Sequence, residues 1–185
     1  VNGGDVTLNN SVTGSNYGKL VLKGTSSQAL HNNGHAIYGL EISNTALVNL
    51  QQSLEVNGIF SFDNGIFNLN SNHLTLSGIV SRNLGFLRSS AASNLICNNA
   101  AAMGSLFFDN TMDGTTNVLN NFTKTGAGSV TIGNNTNAAI AQLYINGLLD
   151  IQAGSIDVNQ PVTGNHLVLV SDGTNLARVG NIVGA

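Results

Sequence analysis

Apolar and polar residues alternate along this chain in short bursts of three to five positions, each closed by Gly or Asn before the next begins. Alternation with a period of two marks a strand with one buried face. It predicts strands over 5–8, 19–22, 36–42, 46–50, 54–57, 59–62, 66–69, 74–77, 79–81, 94–97, 105–108, 117–123, 129–132, 142–145, 147–151, 155–158 and 166–170. No window of a dozen residues carries a 3.6-residue period. The nearest approach to helix is Asn98-Asn99-Ala100-Ala101-Ala102-Met103, which suggests a helical turn within 97–104. The fold class is therefore all-β.

The bursts recur as blocks. Residues Leu54 to Asn70 align without a gap on Leu143 to Asn159, matching Gly58 to Gly147, Gly65 to Gly154 and Asn57 to Asn146. The apolar positions Leu54, Val56, Phe60, Phe62, Phe67 and Leu69 meet Leu143, Ile145, Leu149, Ile151, Ile156 and Val158. After a four-residue insertion, Asn72 to Leu76 meets Asn165 to Leu169. The chain thus reads as one domain over 1–185, built of two divergent long repeats, about 19–80 and 93–170. Shared alternation predicts that the twelve matched apolar side chains point into one continuous core.

Two architectures use such strands. In an antiparallel β-sandwich, Asn57-Gly58, Asn64-Gly65, Asn146-Gly147 and Asp172-Gly173 would close tight hairpins. In a right-handed parallel β-helix (a β-solenoid), short strands joined by bends stack ~4.8 Å below the next. The solenoid explains the recurring block directly, because each coil repeats the same bend and Gly or Asn tolerates positive φ there. Asn in adjacent coils can also link its side-chain amides into a hydrogen-bonded ladder. With roughly 20–25 residues per coil, 185 residues make about eight coils. The parallel β-helix is the expected architecture and the sandwich the alternative.

Composition narrows the setting. Only 8% of the residues are charged, and the net charge is −3, against about 25% charged in ordinary domains. Yet 42% is apolar and the mean hydropathy is +0.13, so the chain has a core to bury. The missing charge is replaced by 29 Asn, with Ser, Thr and 22 Gly, which suits an extracellular repeat protein. The single Cys97, in Leu95-Ile96-Cys97, cannot form an internal disulfide and reads as a small buried apolar residue. No apolar run approaches the ~20 residues of a membrane-spanning helix, so no membrane insertion is expected. The chain opens on Val1 without a signal peptide and stops in mid-pattern, which suggests a stretch of something longer.

The cadence Leu-x-Val-x-Gly-x-Phe-x-Phe-x-x-Gly-x-Phe-x-Leu from Leu54, with Thr115 to Lys124, Gly128 to Gly133 and Asn165 to Arg178, resembles the large repetitive cell-surface proteins of Bacteroidota exported by the type IX system. It is also similar to autotransporter passenger β-helices. The resemblance spans most of the chain. It implies a secreted, adhesin- or stalk-like module at the bacterial cell surface. Its implied partners are adjoining repeats of the same chain or assembly, with glycans or host and cell surfaces as further candidates.

β-Helices also host polysaccharide lyases and glycosidases, so a carbohydrate-active enzyme is the competing expectation. That chemistry needs paired carboxylates ~5–9.5 Å apart. The nine acids are scattered, and the best local pair, Asp109 and Asp113, reads as a solvated loop, since turns enrich Asp. Asp63 and Asp150 fall at different repeat phases, and Asp157 aligns with Asn68 as an outward polar position. His73 and His166 share a repeat position but lie a whole long repeat apart. His31 and His35 sit in a loop with no third ligand in sequence, which makes a zinc site improbable. Six scattered basic residues give no phosphate-binding patch, so nucleic acid is disfavoured. Asn9, Asn121 and Asn134 form Asn-x-Ser/Thr triplets, expected by chance in so Asn-rich a chain. The expectation is no enzyme, and no catalytic, cofactor-binding or metal residues.

Overall fold

The computed structural model describes residues 1–15, 18–133, 142–158, 166–171 and 176–180, with the backbone alone described at Gln142 and His166. Asn134, Asn159, Pro161, Asn165 and the Asp172-Gly173 pair lie outside the described residues. Among the described residues nineteen strands are present: β1 (Val6–Thr7), β2 (Lys19–Gly24), β3 (Gln28–His31), β4 (Gly39–Leu50), β5 (Leu54–Val56), β6 (Ile59–Asn68), β7 (His73–Leu76), β8 (Ile79–Arg82), β9 (Phe86–Arg88), β10 (Asn94–Cys97), β11 (Ser105–Leu106), β12 (Val118–Leu119), β13 (Asn121–Lys124), β14 (Ser129–Ile132), β15 (Gln142–Ile145), β16 (Leu148–Ile151), β17 (Ser155–Val158), β18 (His166–Leu169) and β19 (Arg178–Val179). No α-helix occurs among the described residues, and 98–104 is an irregular bend rather than the expected helical turn. Alternation also missed β3, β9 and β19, each too short to show a pattern.

Every pairing between named strands is parallel. The sandwich alternative fails on this point. β5 pairs with β7 rather than turning back on β6, so Asn57-Gly58 closes no hairpin. Asn64-Gly65 lies inside β6, and Asn146-Gly147 joins β15 and β16 of two different sheets.

The pairings sort the strands into three faces, visited in fixed rotation. The first face holds β2, the first half of β4, the first half of β6 and β8, then β11, β14 and β17. Val80 N–H to Met103 O (2.7 Å) joins its two parts. The second holds β1, β3, the later halves of β4 and β6, and β9, then β12, β15 and β18. The third holds β5, β7, β10, β13, β16 and β19, preceded by bridges from Val12 to Ile37 and Ile37 to Val56. On the third face eight segments follow one another as parallel partners, the Val12 and Ile37 bridges and the six named strands. β4 and β6 run straight through predicted boundaries because the bend between faces one and two is absorbed as a register irregularity between Ile42 and Leu47.

Circuit length changes midway. Leu40 pairs with Phe60 and Phe60 with Val80, but Leu95 pairs with Phe122 and Phe122 with Leu149. Between Leu95 and Phe122 the extra residues fall in the bend at 98–104 and in a loop on the second face. There Asp109 N–H reaches Leu87 O and Ser89 N–H reaches Thr116 O, so 110–115 project from the stack.

Inward residues form one apolar column. Leu54, Val56, Phe60, Phe62, Phe67, Leu69, Leu143, Ile145 and Leu149 are buried, as predicted, while Ile151 and Ile156 are half-buried against the same core. Val158 is half-buried too. The long alignment, however, equates strands of different faces. Leu54–Val56 stands on the third face and Leu143–Ile145 on the second; Phe60–Phe62 on the first and Leu149–Ile151 on the third. All three faces share the pattern apolar-x-apolar-x-Gly, so a sequence match slipped by one face still superposes inward on inward.

The glycines divide the same way. Gly65 and Gly154 have the expected positive φ, 74° and 70°, and Asn33 and Asn70 adopt φ 49°. Gly58 and Gly147 do not have positive φ. Their smallness is required by packing: a Cβ on Gly58 would lie 2.6 Å from the Tyr38 ring, and one on Gly147 2.6 Å from Asn120 O.

Candidate functional site

Outward side chains bond from circuit to circuit, the ladder that an Asn-rich surface predicts. Asn68 Nδ2 donates to Asn49 Oδ1 (2.9 Å), and Asn49 Nδ2 to Ser27 Oγ (3.2 Å). On the third face Asn121 N–H donates to Asn94 Oδ1 (3.0 Å), and Leu148 N–H to Asn121 Oδ1 (2.8 Å). Asn121, one of the triplet asparagines, is thereby engaged in the ladder, whereas Asn9 is exposed.

The loop with the best carboxylate pair is solvated over 111–115, as expected, but not at Asp109. Asp109 is only 3% exposed and forms an ion pair with Arg88 Nη2 (2.7 Å), whose Nε donates to the same oxygen. Its other oxygen accepts Thr111 N–H (3.1 Å). Thr116 Oγ1 donates to Asp109 O (2.6 Å), and Asn117 Nδ2 to Asp113 Oδ1 (3.0 Å). Asp113 itself is exposed. The sequence reading failed at Asp109 because Arg88, its partner, stands one circuit away.

On the first face Lys19 pairs with Glu41, and Asp63 accepts from Ser43 Oγ (2.7 Å) and Asn83 Nδ2 (3.3 Å). Those hydrogen bonds hold the Asp63 carboxyl below its ordinary range. Beside them the Arg82 guanidinium stacks over Phe107 and Phe86 (4.1 and 4.6 Å to the ring centroids), and burial lowers its pKa. A shallow depression here is lined by Lys19, Glu41, Ser61, Asp63, Arg82 and Asn83. Asp150 stands on the third face, away from Asp63, and accepts from Gln152 Nε2 (2.7 Å); Asp157 is exposed.

The histidines separate. His73 is on the third face, whereas the His166 backbone pairs with Gln142 on the second, so the two do not stack. His31 lies on the second face in β3. His35 instead shares a depression on the third face with Glu55 and His73. Among the described residues no group of three or more His, Cys, Asp and Glu side chains stands ready to hold a metal ion.

Inside the core, Cys97 and Lys124 are register partners, both fully buried. Cys97 is the buried apolar-like residue the sequence suggests. Lys124 was not anticipated, although Phe122-x-Lys124 places it on the inward parity. Its ammonium donates to Gly126 O, and burial lowers its pKa. Burial pushes the Cys97 thiol up from its usual 9.0 to about 12. Because the folded pKa is raised, its stabilisation is present below pH 9 and is lost between pH 9 and 12. On the order of 3–4 kcal/mol should disappear by pH 12. Lys124 has the opposite sign, its penalty easing as pH climbs toward 10.5. Urea melts from pH 7 to 12 should therefore show an alkaline loss that Cys97→Ala flattens, and the native thiol should resist alkylation at pH 8.

No protein-family model matches the chain, and neither a curated protein nor a solved structure is significantly similar to it.

Proposed function

We propose that the chain is a structural and adhesive module of a large secreted bacterial surface protein, its three faces being the walls of a right-handed parallel β-helix of about eight coils. One observation carries this reading: the three parallel faces are visited in rotation, the third of them eight times, with outward polar side chains bonded between circuits. Right-handedness follows from the preference of parallel crossovers, about 98% of which have that hand. At ~4.8 Å per coil, eight coils make a stack roughly 35–40 Å long. Such a stack suits a spacer that presents flat strand faces.

The polar side chains support the same reading. Three of the nine acids, Asp109, Glu41 and Asp63, are engaged by Arg88, Lys19 and the Ser43–Asn83 pair. Open strand edges at the end of a parallel stack favour partners with the same edge geometry. The proposed partners are therefore adjoining repeats of the same chain or surface assembly, with glycans or host and cell surfaces meeting the faces. The composition and the surface-repeat resemblance support an extracellular location.

The test is a screen of the chain against acidic and neutral polysaccharides, with and without calcium, reading new reducing ends and unsaturated products. No turnover is expected. Reproducible turnover abolished by Asp113→Ala, which removes an exposed side chain, would overturn the reading in favour of a carbohydrate-active enzyme.

A further inference from the structure

We infer that Asn33 is a site of spontaneous chemical modification, its carboxamide converting to aspartate and isoaspartate through a cyclic imide formed with Gly34. Five Asn-Gly pairs occur among the described residues: Asn2-Gly3, Asn33-Gly34, Asn57-Gly58, Asn64-Gly65 and Asn146-Gly147. In sequence the five are alike, since a glycine after asparagine leaves the attacking nitrogen unshielded by a Cβ. The fold separates them.

The step is intramolecular. The Gly34 backbone nitrogen gives its proton to solvent hydroxide and attacks Asn33 Cγ. A new C–N bond closes a five-membered imide, and Nδ2 departs as ammonia with a proton from water. Water then opens the ring at either carbonyl, leaving a carboxylate at position 33 on an ordinary or a β-linked backbone. Overall one water is consumed and one ammonia released.

Closure needs a nitrogen free of other bonds and a backbone free to rotate until that nitrogen meets Cγ. Four pairs lack the first condition. Gly3 N–H donates to Lys23 O, Gly58 N–H to Tyr38 O and Gly147 N–H to Asn120 O, each at 2.7 Å. Gly65 N–H is committed to Asn64 Oδ1 (2.8 Å) inside β6, a strand paired on both sides. Gly58, Gly65 and Gly147 are also wedged against the preceding circuit, where even a Cβ has no room.

Asn33-Gly34 differs on each count. It is the exposed turn that carries the chain from the second face to the third, closed by His35 N–H to Asn32 O (2.7 Å). Gly34 N–H has no hydrogen-bond partner among the described residues. Nothing lies within 4 Å of the point where a Gly34 Cβ would stand, so the peptide is free to swing. Among the described residues the Asn33 carboxamide is tethered only by Nδ2 to Leu8 O (3.0 Å), an exposed bond to the preceding circuit. The product carboxylate has no N–H for Leu8 O, so conversion cuts that link between the first two circuits.

Peptide mapping by mass spectrometry of the whole chain, held folded at pH 8 and sampled over time, reads each pair separately. Labelling by an isoaspartyl methyltransferase scores the β-linked product. Asn33 is expected to convert first, about tenfold or more faster than Asn2, Asn57, Asn64 or Asn146, because each of those must open locally before it reacts. In urea the five rates should converge. Gly34→Ala, whose Cβ meets open space, should slow conversion at position 33 while circular dichroism shows the chain folded. Conversion at Asn33 no faster than at the other four in the folded chain, or an equal lead for Asn33 in urea, overturns the proposal.

Discussion

Replacing Phe62 by alanine is expected to destabilise the fold by about 3–5 kcal/mol, the usual cost of emptying a buried aromatic site. Phe62 is 2% exposed, its ring centroid 4.2 Å from that of Phe60, which in turn packs edge-on against Phe67 at 5.4 Å. The three rings fill one circuit of the core, where the first and second faces meet on β6. The surrounding strands are hydrogen-bonded to circuits on both sides and cannot collapse into the void. Urea melts should show a lower midpoint with an unchanged m-value. Ile151→Ala, at a half-buried position, should cost less. Equal costs at the two sites would contradict this placement of the core.

Gly65→Ala should be at least as damaging, about 4 kcal/mol or more, although it adds a single methyl group. At φ +74° an L-residue loses roughly 1–2 kcal/mol. The added Cβ would also stand 1.6 Å from Asn44 O and 2.9 Å from Ala46 O, both backbone atoms of the preceding circuit. Relief requires the circuits to part at the bend where Asn44 Nδ2 donates to Gln28 Oε1 (2.6 Å) and Ala46 N–H to Asn44 Oδ1 (2.8 Å). Gly114→Ala has a similar φ of +72° but nothing within 4 Å of its Cβ. It should cost only the backbone term. Comparing the two variants by thermal melting separates crowding from strain.

Alternation alone located β10, β14, β15 and β17 to the residue and most others within two, because in a stack with one inward face the period-two signal survives in every strand. Parallel pairing was legible from the recurrence of the block. What the block could not reveal was which face each copy occupies, since all three faces obey one inward rule and differ only in their bends. The surface chemistry was hidden for a related reason. Arg88 and Asp109 meet only when circuit length is known, and that length shifts where 98–104 and 110–115 are inserted. Lys124 shows a further limit. Its charge argued for an outward position, yet its parity in β13 and the Gly126 carbonyl keep it inside.

The parallel three-faced stack is tested most directly by spin-label distances along the third face. Glu55, Thr75, Ile96, Thr123 and Asp150 are successive register partners there, and Ala36 precedes Glu55 through the Ile37–Val56 bridge. In a Cys97→Ala background, labels at positions 55 and 150 span four circuits and should give a distance near 19 Å; labels at 36 and 150 span five and should give about 24 Å. Two narrow distributions separated by one step of roughly 5 Å are the predicted result. Equal distances, or a longer distance for the 55–150 pair than for the 36–150 pair, would contradict the stacking from which the fold and the proposed module both follow.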